Sequence, residues 1–155
     1  MSFRVVVQET PFDVAEEYSS LQNSSPSVGA VATFVGLVRD VNQGKKIEKI
    51  FIEHYPGMTE IELQKILGEA RNRWDILAGT IIHRFGKLGI GDGIVFVGVA
   101  SSHRKDSISA CDFIMDYLKT KAPFWKKEKH ERGEKWVASR ESDAAFLVAW
   151  DKEDN

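Results

Sequence analysis

"GTIIHRFGKLGIGDGIVFVGVAS", residues 79–101, sets two apolar, β-branched runs on either side of a glycine-rich connection, and its reading decides the fold. "GIGDG" invites comparison with a nucleotide-binding loop. A dinucleotide fingerprint, however, opens a helix on its glycines, and a Walker loop closes on Gly-Lys-Ser/Thr. Here a second β-run follows directly. "KLGIGD" is therefore expected to be a hairpin turn joining "GTIIHRFG" to "GIVFVGVAS".

Outward from this pair the same alternation recurs. "FRVVVQ" (3–8) reads as a strand and "FDVAEEYSSL" (12–21) as a short helix with Asp13 and Glu16 at capping-box spacing. After the loop "NSSPSVG", "AVATFVGLVR" and "IEKIFIEHY" are β-rich runs separated by an exposed turn, "DVNQGKK". Beyond Pro56-Gly57, Thr59 and Glu62 fit a second capping box, and Ile61, Ile66, Ala70 and Trp74 recur near helical period. A second long helix is expected from Asp106 or Ser107 to Lys121, with Cys111, Ile114, Met115 and Leu118 along one side. It should stop before Pro123, because the residue preceding a proline disfavours the α region. "KKEKHERGEKWV" suits a polar hairpin around Gly133, and "ESDAAFLVAW" a terminal helix. Strand pairs punctuated by helices indicate an α+β fold with a mainly antiparallel sheet, not a doubly wound parallel one.

At 155 residues and 43% hydrophobic composition the chain fits one domain, residues 1–155. The lone cysteine, Cys111, excludes an intramolecular disulfide and a CxxC site, which favours a reducing compartment. No apolar run reaches the roughly 18 to 20 residues of a membrane span, and "MSFRVVVQETPFD" lacks a signal-peptide layout. A cytoplasmic protein with no membrane association is the expectation. Net charge is −2, yet residues 119–135 hold six Lys and one Arg against three Glu, a local +4 that leaves −6 elsewhere. Such separation points to an anionic ligand or acidic partner rather than to general nucleic-acid affinity, although a solvated basic face has the same composition.

Few residues offer catalysis. His54, His83, His103 and His130 are scattered without a second ligand at helical spacing, so neither metal nor cofactor is expected. Cys111 lies on an apolar stripe and reads as a buried thiol. No Gly-x-Ser-x-Gly elbow occurs. What remains is basic: His103-Arg104 at a strand-to-helix junction, Arg39 at another strand end, and Lys119 one turn after Met115. A lysine nucleophile must shed its proton, and at pH 7 only roughly one in 2,500 ordinary lysines has done so. A helix C-terminus opposes that loss by about 0.3–1 kcal/mol, whereas burial among other cations lowers a lysine pKa by up to about 3–5 units. The expectation is that Lys126 and Arg104 crowd Lys119 in a pocket while Phe124 and Trp125 anchor the turn in apolar surface. A noncatalytic module that binds an acidic protein or an RNA loop through the same residues is the competing class.

In "ATFVGLVRD", "EHYPGMTE", "EARNRW", "IIHRFGKL", "GDGIVFVGVASSHR" and "FIMDYLKTKAPFWKKE" the sequence resembles the large, catalytic subunit of molybdopterin synthase, over roughly residues 3–143. The resemblance implies an α/β hammerhead fold with a small β-subdomain. It implies a sulfurtransferase that converts cyclic pyranopterin monophosphate into molybdopterin. Sulfur would come from the C-terminal Gly-Gly thiocarboxylate of a small ubiquitin-like subunit, and two large subunits would pair within a heterotetramer. Carried onto matching positions, it implies Lys119 and Lys126 as catalytic residues. Arg39, His103, Arg104, Lys127, Leu37, Val38 and Glu128 would bind substrate, and Phe34, Met115 and Arg140 would shape the pocket or tail channel.

Overall fold

The computed structural model describes residues 2–130, 133–137 and 146–151. The two runs that decide the fold are strands β5 (Ile76–Arg84) and β7 (Gly93–Ser101), paired antiparallel with Ile81 opposite Val97. β2 (Ala30–Leu37) lies antiparallel on the far side of β7, and β1 (Phe3–Gln8) pairs parallel with β5 at the other edge. The resulting order is β1-β5-β7-β2.

Central β7 is apolar along its length because both of its faces are covered. Val95, Val97 and Val99 pack with helices α2 (Met58–Arg73) and α3 (Arg104–Lys121), burying Leu63, Leu67, Phe113 and Ile114. Phe96 and Ala100 face the other way, towards Leu21 of α1 (Val14–Gln22). Each large apolar side chain so buried contributes about 1.5–3 kcal/mol, which binds the helices to opposite faces of one sheet.

The second sheet runs β3-β4-β8-β9, comprising β3 (Val41–Asn42), β4 (Lys45–His54), β8 (Phe124–His130) and β9 (Gly133–Val137), with β6 (Gly86–Gly89) also on the side of β4 away from β8. The expected exposed turn in "DVNQGKK" closes β3 onto β4 through Gln43 and Gly44, at φ 51° and 78°. Positive φ at both central residues is the type I′ geometry that tight hairpins require. The joint between the sheets is β6. After Arg84 the chain turns at Gly86 (φ 90°), pairs with β4, and re-enters the first sheet at Gly93, opposite Leu37 of β2. "KLGIGD" is thus more than a turn, since its first residues form a strand of the other sheet.

The α+β reading holds, with local corrections. Asp13 caps α1 and accepts from the Glu16 amide as expected. The N-cap of α2 is Gly57, whose amide donates to Glu60 at 2.8 Å; Thr59 and Glu62 form no capping box. Thr59 is buried instead, its hydroxyl donating to the Tyr55 carbonyl and accepting from the Tyr55 amide. Ile61 points outward, and the buried stripe is Leu63, Ile66, Leu67 and Ala70. Helix α3 starts two or three residues earlier than expected, at Arg104, and its buried side carries Cys111, Ile114, Met115 and Leu118 as expected. Trp125 is 48% exposed, so only Phe124 of the aromatic pair is anchored. Of the expected terminal helix, residues 146–151 are helical, with Trp150 edge-on to Trp74 and Phe113; residues 141–145 lie outside the described residues.

Candidate functional site

Where α3 ends, the chain crosses Ala122-Pro123 and enters β8, passing from the first sheet to the second. A cavity of about 450 Å³ opens there, lined by residues of both sheets. Its walls are Phe34, Gly36 and Leu37 from the end of β2, His83 from β5, Ile94 and Val95 from β7, and Met115, Leu118 and Lys119 from α3. Phe124, Trp125 and Lys126 come from β8, and Arg39, Asn42 and Gln43 from the hairpin beyond β2.

Six expected residues therefore meet around one space: Lys119, Lys126, Arg39, Leu37, Phe34 and Met115. Lys119 and Lys126 come from consecutive elements yet converge because the proline break reverses the chain. Aromatic and aliphatic walls with a few convergent cations suit an anionic, partly apolar ligand. Lys119 is exposed, so this chain alone does not supply the burial expected around its ammonium.

Other expected residues lie elsewhere. His103 and Arg104 are exposed at the N-terminus of α3. Fifteen residues of helix separate Arg104 from Lys119, about 22 Å at 1.5 Å per residue, so within one chain Arg104 does not crowd Lys119. Val38 is buried in the core of the second sheet, and its backbone bonds Asp92 and Gly91. Lys127 does not line the cavity; its ammonium sits 5.0 Å from the Trp136 ring centre and 3.3 Å from Glu134. Glu128 is buried, accepting from Asn42 Nδ2 at 2.8 Å and lying 3.4 Å from His130 Nε2. It tethers the hairpin that carries Asn42 and Gln43 into the cavity wall. Arg140 lies outside the described residues.

Sequence reasoning missed His83, treating it only as an unlikely metal ligand. Its ring stacks on Phe124 at 3.6 Å and 16°, and Nδ1 lies 2.8 Å from the Arg84 carbonyl. Burial, and then the nearby His54 and Lys119 charges, outweigh that hydrogen bond and lower its pKa to about 4. A polar residue inside the apolar run "GTIIHRFG" was the available signal. Cys111 is buried, and burial and Asp112 push its thiol up to about 12. Among the described residues no three His, Cys, Asp or Glu side chains converge to hold a metal ion.

Comparison with known proteins bears on the family and the fold. The family model described as MoaE protein matches residues 7–121. The molybdopterin synthase catalytic subunit of Escherichia coli strain K12 is 51% identical over 147 residues, 95% of this chain and 97% of that protein. A solved structure described as a molybdopterin biosynthesis MoaE protein, from Burkholderia ambifaria MC40-6, superposes with a TM-score of 0.81 at 46% identity, covering 97% of this chain and 98% of that one. More distantly, a complex of subunits 1 and 2 of molybdopterin-converting factor from Helicobacter pylori 26695 shares the fold, with a TM-score of 0.71 at 18% identity over 90% of this chain and 92% of that one. On its sequence and its fold alike, the chain belongs to the MoaE family of molybdopterin synthase catalytic subunits.

Proposed function

We propose that the chain acts, as one catalytic-subunit domain in the cytoplasm, to transfer sulfur from the C-terminal thiocarboxylate of a small ubiquitin-like subunit to cyclic pyranopterin monophosphate, building the dithiolene of molybdopterin. The observation that carries this reading is the convergence of Lys119, Lys126 and Arg39 on one cavity with Phe34 and Met115 in its wall. The Helicobacter pylori complex of two subunits supports a small partner protein.

The thiocarboxylate sulfur attacks a side-chain carbon of the pterin, forming a carbon–sulfur bond and a thioester between tail and substrate, while a carbon–oxygen bond at that carbon breaks and its oxygen leaves on the phosphate or as water. The acyl carbon–sulfur bond then breaks, leaving sulfur on the substrate and the acyl group on water or on the Lys119 amine. A second tail repeats the cycle. Lys126 and Lys119 stabilise the oxyanion that develops at the acyl carbon. A tail seated in the cavity also excludes water around Lys119, supplying the desolvation that the lone chain lacks.

Arg39 binds the substrate phosphate. His103 and Arg104 join it from a second copy of the chain in a homodimer, because their own cavity is about 22 Å away. The test is to combine the protein with cyclic pyranopterin monophosphate and thiocarboxylated small subunit and to detect dithiolene product. Lys119→Ala should lower single-turnover rates roughly 10²- to 10⁴-fold while retaining partner binding. Lys119→Arg should fail as well if a neutral amine is needed, since guanidinium stays charged, and rescue by arginine would reduce the role to electrostatics. Near-normal rates in Lys119→Ala would overturn the assignment.

A further inference from the structure

His83 faces the same cavity as Lys119 but is the wrong residue for a simple wall. Its ring lies flat on Phe124, and Nδ1 is held 2.8 Å from the Arg84 carbonyl. A carbonyl only accepts, so Nδ1 carries the proton and donates it, which leaves Nε2 of the neutral ring as a lone-pair acceptor. The Arg84 backbone is itself fixed. Its guanidinium donates through Nε and Nη2 to the Glu9 carbonyl and through Nη1 to the Gly93 carbonyl. Among the described residues no buried side-chain nitrogen or oxygen is without a hydrogen-bond partner. Since Nδ1 makes the hydrogen bond of this ring, Nε2 must open onto the cavity that His83 lines.

Charged and titratable groups face the ring from several elements. Lys119 approaches from α3 and His54 from β4, both near enough to disfavour a second positive charge on His83, and Lys126 and Arg39 share the cavity from β8 and from the hairpin beyond β2. His54 is engaged by its own bond, Nδ1 to the Thr59 hydroxyl at 3.0 Å. The open Nε2 is thus a neutral acceptor set among amine, guanidinium and amide donors. A ring that titrates near 4 is neutral throughout the physiological range but a poor base there, so its use is to accept a hydrogen bond rather than to remove a proton.

We propose that His83 is the positioning residue for Lys119: Nε2 accepts a hydrogen bond from the Lys119 amine and aims that group at the acyl carbon of the incoming tail. The relay runs from the Arg84 carbonyl through a fixed imidazole tautomer to the amine, the same logic by which a base is oriented by a third group in nucleophilic sites. This rests on the assignment of Lys119 to sulfur transfer.

Two independent measurements test it. In the first, ¹⁵N NMR of the full chain follows the His83 titration, with Lys119→Ala expected to move the midpoint a little up from about 4, burial still holding most of the shift. An unmoved midpoint would show that ring and amine are not adjacent, and would overturn the proposal. In the second, turnover is measured with cyclic pyranopterin monophosphate and thiocarboxylated small subunit. His83→Phe keeps a ring against Phe124 but removes the acceptor, and should lower kcat at least roughly 10-fold with KM for the pterin unchanged. His83→Gln, whose amide oxygen can take the place of Nε2, should restore most of that loss. Full kcat in the phenylalanine variant, or equal loss in both variants, would reduce His83 to packing. If the wild-type protein makes no product, the sulfur-transfer reading fails and the titration alone decides the contact.

Discussion

Held neutral by burial, His83 also makes the fold sensitive to acid. Its folded pKa of about 4 lies below the ordinary value of 6.5, so between these limits the unfolded chain binds more protons than the folded one. Stability from this group is complete above about pH 6.5 and is lost as pH falls towards 4, to a total of at most about 3 kcal/mol, less because the half-buried ring opens onto the cavity. Denaturant unfolding at pH 7 and pH 4.5 should show that loss in the wild-type chain and a smaller one in His83→Gln, which has nothing to protonate. Cys111 predicts the opposite of a functional group. Its thiol is buried 3.9 Å from the Val97 carbonyl and pushed up to about 12, so Cys111→Ser should retain sulfur transfer once any lost stability is allowed for. Loss of transfer in a stable serine variant would instead support a thiol relay. Cys111 was legible because its neighbours at helical spacing are apolar. His83 was not, because its value comes from Phe124 and Arg84, the first of which lies far along the chain.

At the scale of elements, what the sequence could say was bounded by what is local. α3 and its stop were legible because apolar spacing and Pro123 act within a few residues. The start of α2 was misread because Thr59 has the right chemistry for a cap but is drawn inward by the Tyr55 backbone. β6 was hidden since its partner, β4, lies more than 30 residues earlier and no local signal names a partner. Tight packing against β7 yields a paired prediction. A Cβ on Gly98 would lie 2.3 Å from Leu21 Cδ1 and 2.9 Å from Phe96 Cε1, wedging α1 off the sheet. Gly98→Ala should cost about 1–3 kcal/mol by urea unfolding. In α2, Gly68 has nothing within 4 Å of its would-be Cβ, so Gly68→Ala should stabilise by about 0.5–1 kcal/mol through helix propensity alone. Equal effects at the two sites would contradict this packing of α1 on β7.

Across the whole molecule, the basic residues that the sequence suggested as one constellation occupy two places. Lys119, Lys126 and Arg39 surround the cavity at the junction of the sheets, while His103 and Arg104 are exposed at the other end of α3, about 22 Å away. Sequence could name these cations but not apportion them, since a long helix separates its two ends whatever their chemistry. If a homodimer completes each cavity with His103 and Arg104 of the second copy, damage to the two groups should be complementable. Lys119→Ala and Arg104→Ala chains would each be deficient alone. Mixed and allowed to exchange, half the dimers would be heterodimers, and in each of these one cavity would carry both lesions and the other neither. Activity should then recover to roughly a quarter of the wild-type value, as expected for random pairing in a symmetric dimer. The measurement is dithiolene formation before and after exchange, with dimer exchange verified by mass spectrometry. A mixture no more active than its parents, despite verified exchange, would mean that Arg104 does not act on a second copy's cavity, and the phosphate would then have to be held by Arg39 and Lys126 of the same chain.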